Sequence, residues 1–309
     1  MGKAADATFG HPALFYHGDG EYLAGTVPFI TDGLAAGDPV AVAVPGPHVA
    51  LLRSALGSAA ERVRLLDMTV VGRNPGRIIP GVLRDFADRY PDRHVRIIGE
   101  PIWPSRTAAE YRACLRHEAL INHAFASRQV TVLCPYDADG LSRQVLADAA
   151  RTHPVLVDHD GRHDSGQYEP DAVLVDCNQP LRAPRGCERF VVGPAGLAGL
   201  RRVVAAFGQR QGLTADRAED LVLVLTELAT NSVEHAGSPA TILLGRTADR
   251  VVCQVHDTGY ISDPLAGRRP AVPDQRRGRG LLLVNHLSDL VRGHSLPGAT
   301  VTEVQFVIG

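Results

Sequence analysis

Three short segments in the second half of the chain hold residues whose types and spacing could do chemistry. In Thr226-Glu227-Leu228-Ala229-Thr230-Asn231-Ser232-Val233-Glu234-His235 a carboxylate, an amide and an imidazole recur at i, i+4 and i+8, so a helix would carry Glu227, Asn231 and His235 on one face. Taken alone, such a stripe also describes a solvated helix face. Asp257-Thr258-Gly259 ends an apolar run that reads as a strand, and Gly278-Arg279-Gly280-Leu281 opens a helical stretch. An Asp at a strand end can accept from an exocyclic amine. Glycines at a helix start let backbone N–H groups approach phosphates, with the helix dipole favouring negative charge. Each element is common by itself, and their order and separation are what suit a nucleotide.

The first half offers a second set. His17, Glu100, Trp103, Cys134 and Tyr136 all fall at the carboxyl ends of expected strands, where ligands of open parallel sheets sit. Core packing of Trp103 and Cys134 and loop capping by Glu100 is the competing reading. Asp158, His159, His163, Asp164 and Cys177 have metal-ligand chemistry, but most of them crowd one Gly/Ser-rich loop rather than a preformed helix face, and they read as a solvated loop.

The elements that must position these residues follow from periodicity. Strands are expected at 14–17, 40–44, 63–68, 95–99, 130–135 and 155–157, alternating with helices at 21–35, 47–56, 76–90, 107–126 and 141–152. That alternation predicts an α/β domain with a parallel sheet covered on both faces, over residues 1–178. Residues 179–188, with Pro180, Pro184 and Gly186, read as a linker. From 189 to 309 the grammar changes to an α+β layer with helices on one face of a mixed sheet. Helices are expected at 197–211, 215–236 and from 281, and strands at 190–192, 241–246, 251–257, 290–294 and 300–307. A Gly/Pro/Arg-rich lid spans 261–277, its Pro264, Gly267, Pro270 and Pro273 opposing regular structure. The 215–236 helix would bury Leu221, Val222, Leu225, Leu228 and Ala229.

Composition excludes several mechanisms. The 309 residues include one lysine, Lys3, among 32 Lys and Arg, so no lysine outside the tail is available for a phosphate loop, a Schiff base or a kinase-type strand. A net charge of −2 lacks the basic footprint of a nucleic-acid binder. No apolar run approaches the ~20 residues of a membrane span, and the N-terminus shows no charged-then-apolar signal, so a cytoplasmic protein is expected. The five cysteines form no C-x-x-C pair and are expected to be reduced thiols.

From about Phe190 to Phe306 the chain resembles the GHKL or Bergerat-fold ATP-binding family of histidine kinases, gyrase, Hsp90 and serine-kinase anti-sigma factors. Glu227 to His235 is similar to the family's N box, Asp257 to Gly259 to its first glycine box, and Gly278 to Leu281 to its second. The resemblance implies a Bergerat sandwich binding ATP and Mg²⁺. Asn231 would hold the metal, with His235 on the same box, and Asp257 and Gly259 would receive the adenine. Gly278 and Gly280 would close on the triphosphate, and Thr300 would contact the adenine edge. Glu227 would be the general base toward a serine hydroxyl, as in the anti-sigma subgroup. Gly259 is followed by Tyr260 and Ile261 where the family has a second glycine, and this bulk would narrow the adenine pocket.

Residues 11 to 178 resemble the MEDS sensory family through His11-x-x-x-Phe15-Tyr16, Gly33-Leu34-x-x-Gly37-Asp38, Gly99-Glu100-Pro101-Ile102-Trp103 and Leu133-Cys134-Pro135-Tyr136-Asp137. That resemblance implies a RecA-like or Rossmann-like layout, and the two resemblances together imply a sensory domain that takes an unknown small ligand and controls an anti-sigma factor. Its partners would be a sigma factor and a STAS-type anti-anti-sigma antagonist, with a homodimer as a further option and neither nucleic acid nor membrane involved. The alternatives are a non-catalytic partner-switching module, and a cytosolic sensor histidine kinase with His117 as phospho-acceptor.

Overall fold

Val40–Val44 is apolar and buried at every position, as a strand covered on both faces must be. The computed structural model describes residues 9–271 and 278–308. It divides into two units, Met1–Cys177 and Asn178–Gly309.

The first unit runs β1 (Pro12–Tyr16), α1 (Gly18–Ala36), β2 (Val40–Val44), α2 (Gly46–Leu56), β3 (Arg64–Asp67), α3 (Met68–Val71), α4 (Arg84–Ala87), β4 (Val95–Gly99), α5 (Ala108–Ala124), β5 (Val130–Asp137), α6 (Arg143–Thr152), β6 (Val155–Asp158), β7 (Gly161–Asp164) and α7 (Pro170–Cys177). Among the described residues its sheet has the order β3-β2-β4-β5-β1-β6-β7. Every pairing is parallel except β6 with β7. This is the parallel α/β layout expected. Thr107 and Glu110 close a capping box that starts α5, a helix that buries not only Leu120 and Ile121 but also His117 and Glu118.

Three stretches depart from expectation. Residues 76–90 do not form one helix: a 3-10 turn at Pro75–Arg77 passes into a π turn at Ile79–Leu83 and then α4. Pro80 lies inside it, and a proline lacks the N–H and crowds the carbonyl four residues back. The polar stretch after Asp158 holds β7, exposed at all four positions, followed by the unforeseen α7.

The third departure is in the second unit, which runs β8 (Glu188–Val192), α8 (Leu197–Arg210), α9 (Ala215–His235), β9 (Ala240–Arg246), β10 (Arg250–Asp257), α10 (Gly280–Leu287), β11 (Leu290–Leu296) and β12 (Ala299–Val307). The sheet order is β11-β12-β10-β9-β8, and each pairing is antiparallel, not mixed, because successive strands join by hairpins or return connections. One face packs Cys253, Val255, Val304 and Phe306 against the helices. On α9 the large buried apolar residues are Leu221, Val224, Leu225 and Leu228, each contributing roughly 2 kcal/mol of apolar burial, with Ala218 and Ala229 beside them. Val222, expected in this set, is only partly buried.

Alternation along β10 and β12 sends Gln254, Glu303 and Gln305 to the opposite face, where they are nonetheless buried. Gln254 and Gln305 donate to the Glu303 carboxylate at 2.9 and 3.0 Å, and Arg292 at 3.2 Å. The expected linker lies on this face: the Arg182 carbonyl accepts from Gln254 at 2.8 Å, and a Cβ on Gly245 would stand 2.3 Å from Pro184. Just ahead of it, the Asn178 amide pairs with both the N–H and the C=O of Ser295 at 3.0 Å, as a neighbouring strand would, while His294 Nδ1 donates to the Asn178 carbonyl at 2.9 Å.

Candidate nucleotide site

Two helices must be held in register for the second unit to form a site. Thr214 caps α9, accepting from Arg217 N–H, and Arg217 then reaches to the end of α10: its guanidinium donates to the Leu287 carbonyl and to Asp289, each at 2.8 Å. The same guanidinium lies over the Phe306 ring, 4.7 Å from its centroid. Such a forked, charge-assisted anchor ties the helix bearing Glu227 and Asn231 to the helix that starts at Gly280.

Between them lies a cavity of about 530 Å³, lined by Asn231, His235, Asp257, Gly259, Gly278, Gly280 and Thr300 among others. All the expected nucleotide-site residues but one thus share a single cavity. Glu227 is the exception. It stands beside the cavity wall, its Oε2 2.8 Å from where a Cβ on Gly280 would be, with Asn231 3.4 Å from the same point.

Asp257 is held by the groups around it. Its Oδ1 accepts from the Gly259 N–H and its Oδ2 from the Ser232 hydroxyl, both at 2.7 Å. A carboxylate offers about four acceptor positions, so capacity remains for a further donor. Gly259 allows the close approach: a Cβ there would meet both Ala236 and Asp257 at 2.9 Å. Gly278 has φ +85, in the left-handed region where a side chain is strained. Thr300 stands under this turn, its hydroxyl donating to the Gly259 carbonyl at 3.0 Å and lying 2.7 Å from the Ser295 hydroxyl, which also accepts from Ile261 N–H at 2.8 Å. Ser232 and Ser295 were not foreseen, since lone hydroxyls carry no spacing signal.

Tyr260 and Ile261 line the cavity yet remain 55% and 37% exposed, so their bulk lies at the rim instead of filling the pocket. The described part of the expected lid, 261–271, is a folded turn. Asp263 accepts from Leu265 N–H and pairs with Arg269, Leu265 is buried, and the Asn285 amide donates to the Gly267 carbonyl at 3.0 Å. Pro273, Arg276 and Arg277 lie outside the described residues.

The sensory candidates of the first unit do not form one group. His17 is exposed and pairs with Asp139 at 2.7 Å. Trp103 stacks under the Arg106 guanidinium. Glu100 is buried and meets His48 Nδ1 at 2.8 Å and the Tyr16 hydroxyl at 3.4 Å, while Tyr22 stacks on His48. Burial raises the Glu100 carboxyl against the pull of His48. Cys134 and Tyr136 belong to a different cluster. Cys134 Sγ lies 3.5 Å from His11 Nε2, and burial, with Glu118 nearby, pushes its thiol well up. His117, weighed as a phospho-acceptor, is buried at 1% exposure. His163 pairs with Asp158 on the exposed β6–β7 hairpin, whereas Cys177 is buried away from it against Ala119 and Val173.

Comparison with known proteins separates the same two regions. Residues 190–308 match the histidine kinase-like ATPase domain, and residues 10–154 match MEDS, the methanogen/methylotroph DcmR sensory domain. The chain carries a MEDS domain and a histidine kinase-like ATPase domain. The ATPase domain is similar to the serine-protein kinase RsbW of Halalkalibacterium halodurans, 28% identical over 140 residues that cover 41% of this chain and 86% of that protein. The RsbW of Bacillus cereus is 28% identical over 121 residues, 35% of this chain and 76% of that one, and the RsbW of Bacillus subtilis 28% over 124 residues, 36% and 78%. A solved histidine kinase, AdeS of Acinetobacter baumannii, superposes at TM-score 0.25 with 11% identity over 45% of this chain and 81% of that one, a likeness on which nothing is built. Among the described residues no helix is long and apolar enough to cross a membrane.

Proposed function

We propose that the chain is a cytoplasmic two-domain regulator. Residues 1–178 form a sensory domain for a small ligand, and residues 189–309 form an anti-sigma-type module that sequesters a sigma factor and phosphorylates a serine on an anti-anti-sigma antagonist. The observation that carries this reading is the Asp257 carboxylate, fixed by Ser232 and Gly259 and lining the same cavity as the start of α10. The residues fit a nucleotide: an anchored acceptor with spare capacity, a glycine turn too close for a side chain, and a helix start beside an amide. Mg-ATP, when bound, supplies the phosphoryl group and the metal charge that neutralises it. Asp257 accepts from the adenine amine, Gly278 and Gly280 bring backbone N–H groups to the phosphates, and Asn231 offers its carbonyl oxygen to the metal. His235 and Thr300 border the pocket. Glu227 takes the proton of the incoming serine hydroxyl.

A second reading, a partner-switching module without turnover, is supported by Glu227 standing outside the cavity lining. Glu227→Gln separates the two. In the kinase reading it lowers phosphoryl transfer to a co-purified antagonist by about 10²–10⁴-fold while ATP binding, measured calorimetrically, is kept. Undiminished transfer removes Glu227 as the base. No transfer by the wild type, with ATP binding intact, leaves the binding module.

A further inference from the structure

Four side chains from four different elements of the first unit converge in its interior: His11 ahead of β1, Glu118 on α5, Cys134 on β5 and His153 at the end of α6. Their ligand atoms all lie within 4.8 Å of one another, and all four residues are buried.

Hydrogen bonding settles which atoms face inward. The Asn122 amide nitrogen contacts the carbonyls of Glu118, Ala119 and Thr152, which turns its oxygen toward His11 Nδ1 at 3.1 Å. His153 Nδ1 lies 2.8 Å from the Ala149 carbonyl. Both partners are acceptors, so each histidine carries a proton on Nδ1, and in the neutral form each presents the Nε2 lone pair to the centre. There each Nε2 meets Glu118 Oε2 at 3.3 Å. Among the described residues neither the Glu118 oxygens nor His153 Nε2 has a partner with hydrogen-bond geometry. Lone pairs of two imidazoles, a carboxylate and a sulfur, with little beyond the Cys134 S–H to donate to them, suit a cation.

Three of the six edges of this four-atom set match those of a coordination tetrahedron. Bonds of about 2.0–2.1 Å to nitrogen and oxygen give edges of about 3.3–3.4 Å, and a bond of about 2.3 Å to sulfur gives a mixed edge of about 3.5 Å. The observed edges are 3.3 Å for each Nε2 to Glu118 and 3.5 Å for Cys134 to His11. Charge agrees as well: a divalent ion with one thiolate and one carboxylate is neutral, which a site without solvent requires. Each histidine already donates its other nitrogen to an oxygen, the arrangement that orients metal-bound imidazoles.

We propose that the MEDS domain binds one divalent transition-metal ion of the zinc class through His11 Nε2, Glu118, Cys134 Sγ and His153 Nε2. Binding forms the sulfur–metal bond as the Cys134 thiol loses its proton to solvent, so the other ligands need give up none. The softness of the sulfur with two imidazoles selects zinc or cobalt over magnesium or calcium. The site is closed, with four protein ligands, and so joins β1, β5, α5 and α6. This inference is independent of the nucleotide reading.

The test uses the full chain purified without chelators, dialysed, and analysed for metal by mass spectrometry. One zinc per chain is expected. Cys134→Ser and His153→Gln should hold less than about a tenth as much, and Asn122→Ala, which removes only the orienting amide, should weaken affinity by about 10–100-fold. His159→Ala, in the exposed Asp158-His159-Asp160 cluster, should change nothing. Cobalt titration of the unaltered chain needs no variant: a thiolate-to-cobalt charge-transfer band and intense tetrahedral d–d bands are expected. Folded wild-type protein that holds no zinc under excess zinc and gives no such cobalt bands overturns the proposal. Full retention by a folded Cys134→Ser overturns the assigned ligands.

Discussion

Two carboxylates, one in each unit, stand in opposite circumstances. Glu118 is wholly buried and stands among the side chains of His11, Cys134 and His153. Asp257 is half-buried, each oxygen already fixed by a donor, and it lines an open cavity. The first arrangement suits something that stays; the second suits something that comes and goes. A carboxylate's partners and its access to solvent, more than its burial alone, separate a structural centre from an exchange site.

The contrast breaks if the two residues are interchangeable in effect. In the zinc-loaded chain Glu118→Ala should cost about 3–5 kcal/mol of stability, because it leaves a net positive charge uncompensated in a closed site, and it should leave ATP affinity of the surviving folded chain unchanged. Denaturant unfolding checks the first part and calorimetry the second. Asp257→Asn should do the reverse, losing about 1.5–3 kcal/mol of ATP binding, roughly one to two decades, with little change in unfolding. A large loss of stability in Asp257→Asn would show that its anchors hold the fold instead of the ligand.

Smaller changes sharpen the comparison. Ser232→Ala removes one of the two donors to Asp257 and should weaken ATP by about 1 kcal/mol, roughly fivefold, visible as a shift in the binding isotherm. Tyr260→Gly removes the bulk that follows Gly259. Since Tyr260 is largely exposed at the rim, its affinity should stay within about threefold of wild type, below 1 kcal/mol. A gain beyond tenfold would place the ring over the nucleotide.

How much of this was legible in the sequence depends on the range of the signal. Val40–Val44 reads directly as a strand because an uninterrupted apolar run means burial on both faces, and Val95–Gly99 follows with only Arg96 breaking the run. Residues 76–90 kept a helical pattern while Pro80 broke the backbone. Gly161–Asp164 gave no signal because an edge strand exposed at every position has no alternation to show. Glu227, Asn231 and His235 were legible because one helix carries all three at its own period. The His11, Glu118, Cys134 and His153 cluster was not, since each residue arrives on a different element and only the sheet order brings them together.

The strand-like pairing of Asn178 with Ser295 bears on how this chain can be taken apart. Residues 178–184 act as a lid of main chain over the polar face of the second sheet, and Ser295 passes that support through Thr300 to the Gly259 turn. A fragment begun at residue 189 would therefore bare Gln254, Glu303 and Gln305 and slacken the floor beneath Asp257. A fragment that keeps this face covered starts at Asn178, where the second unit begins.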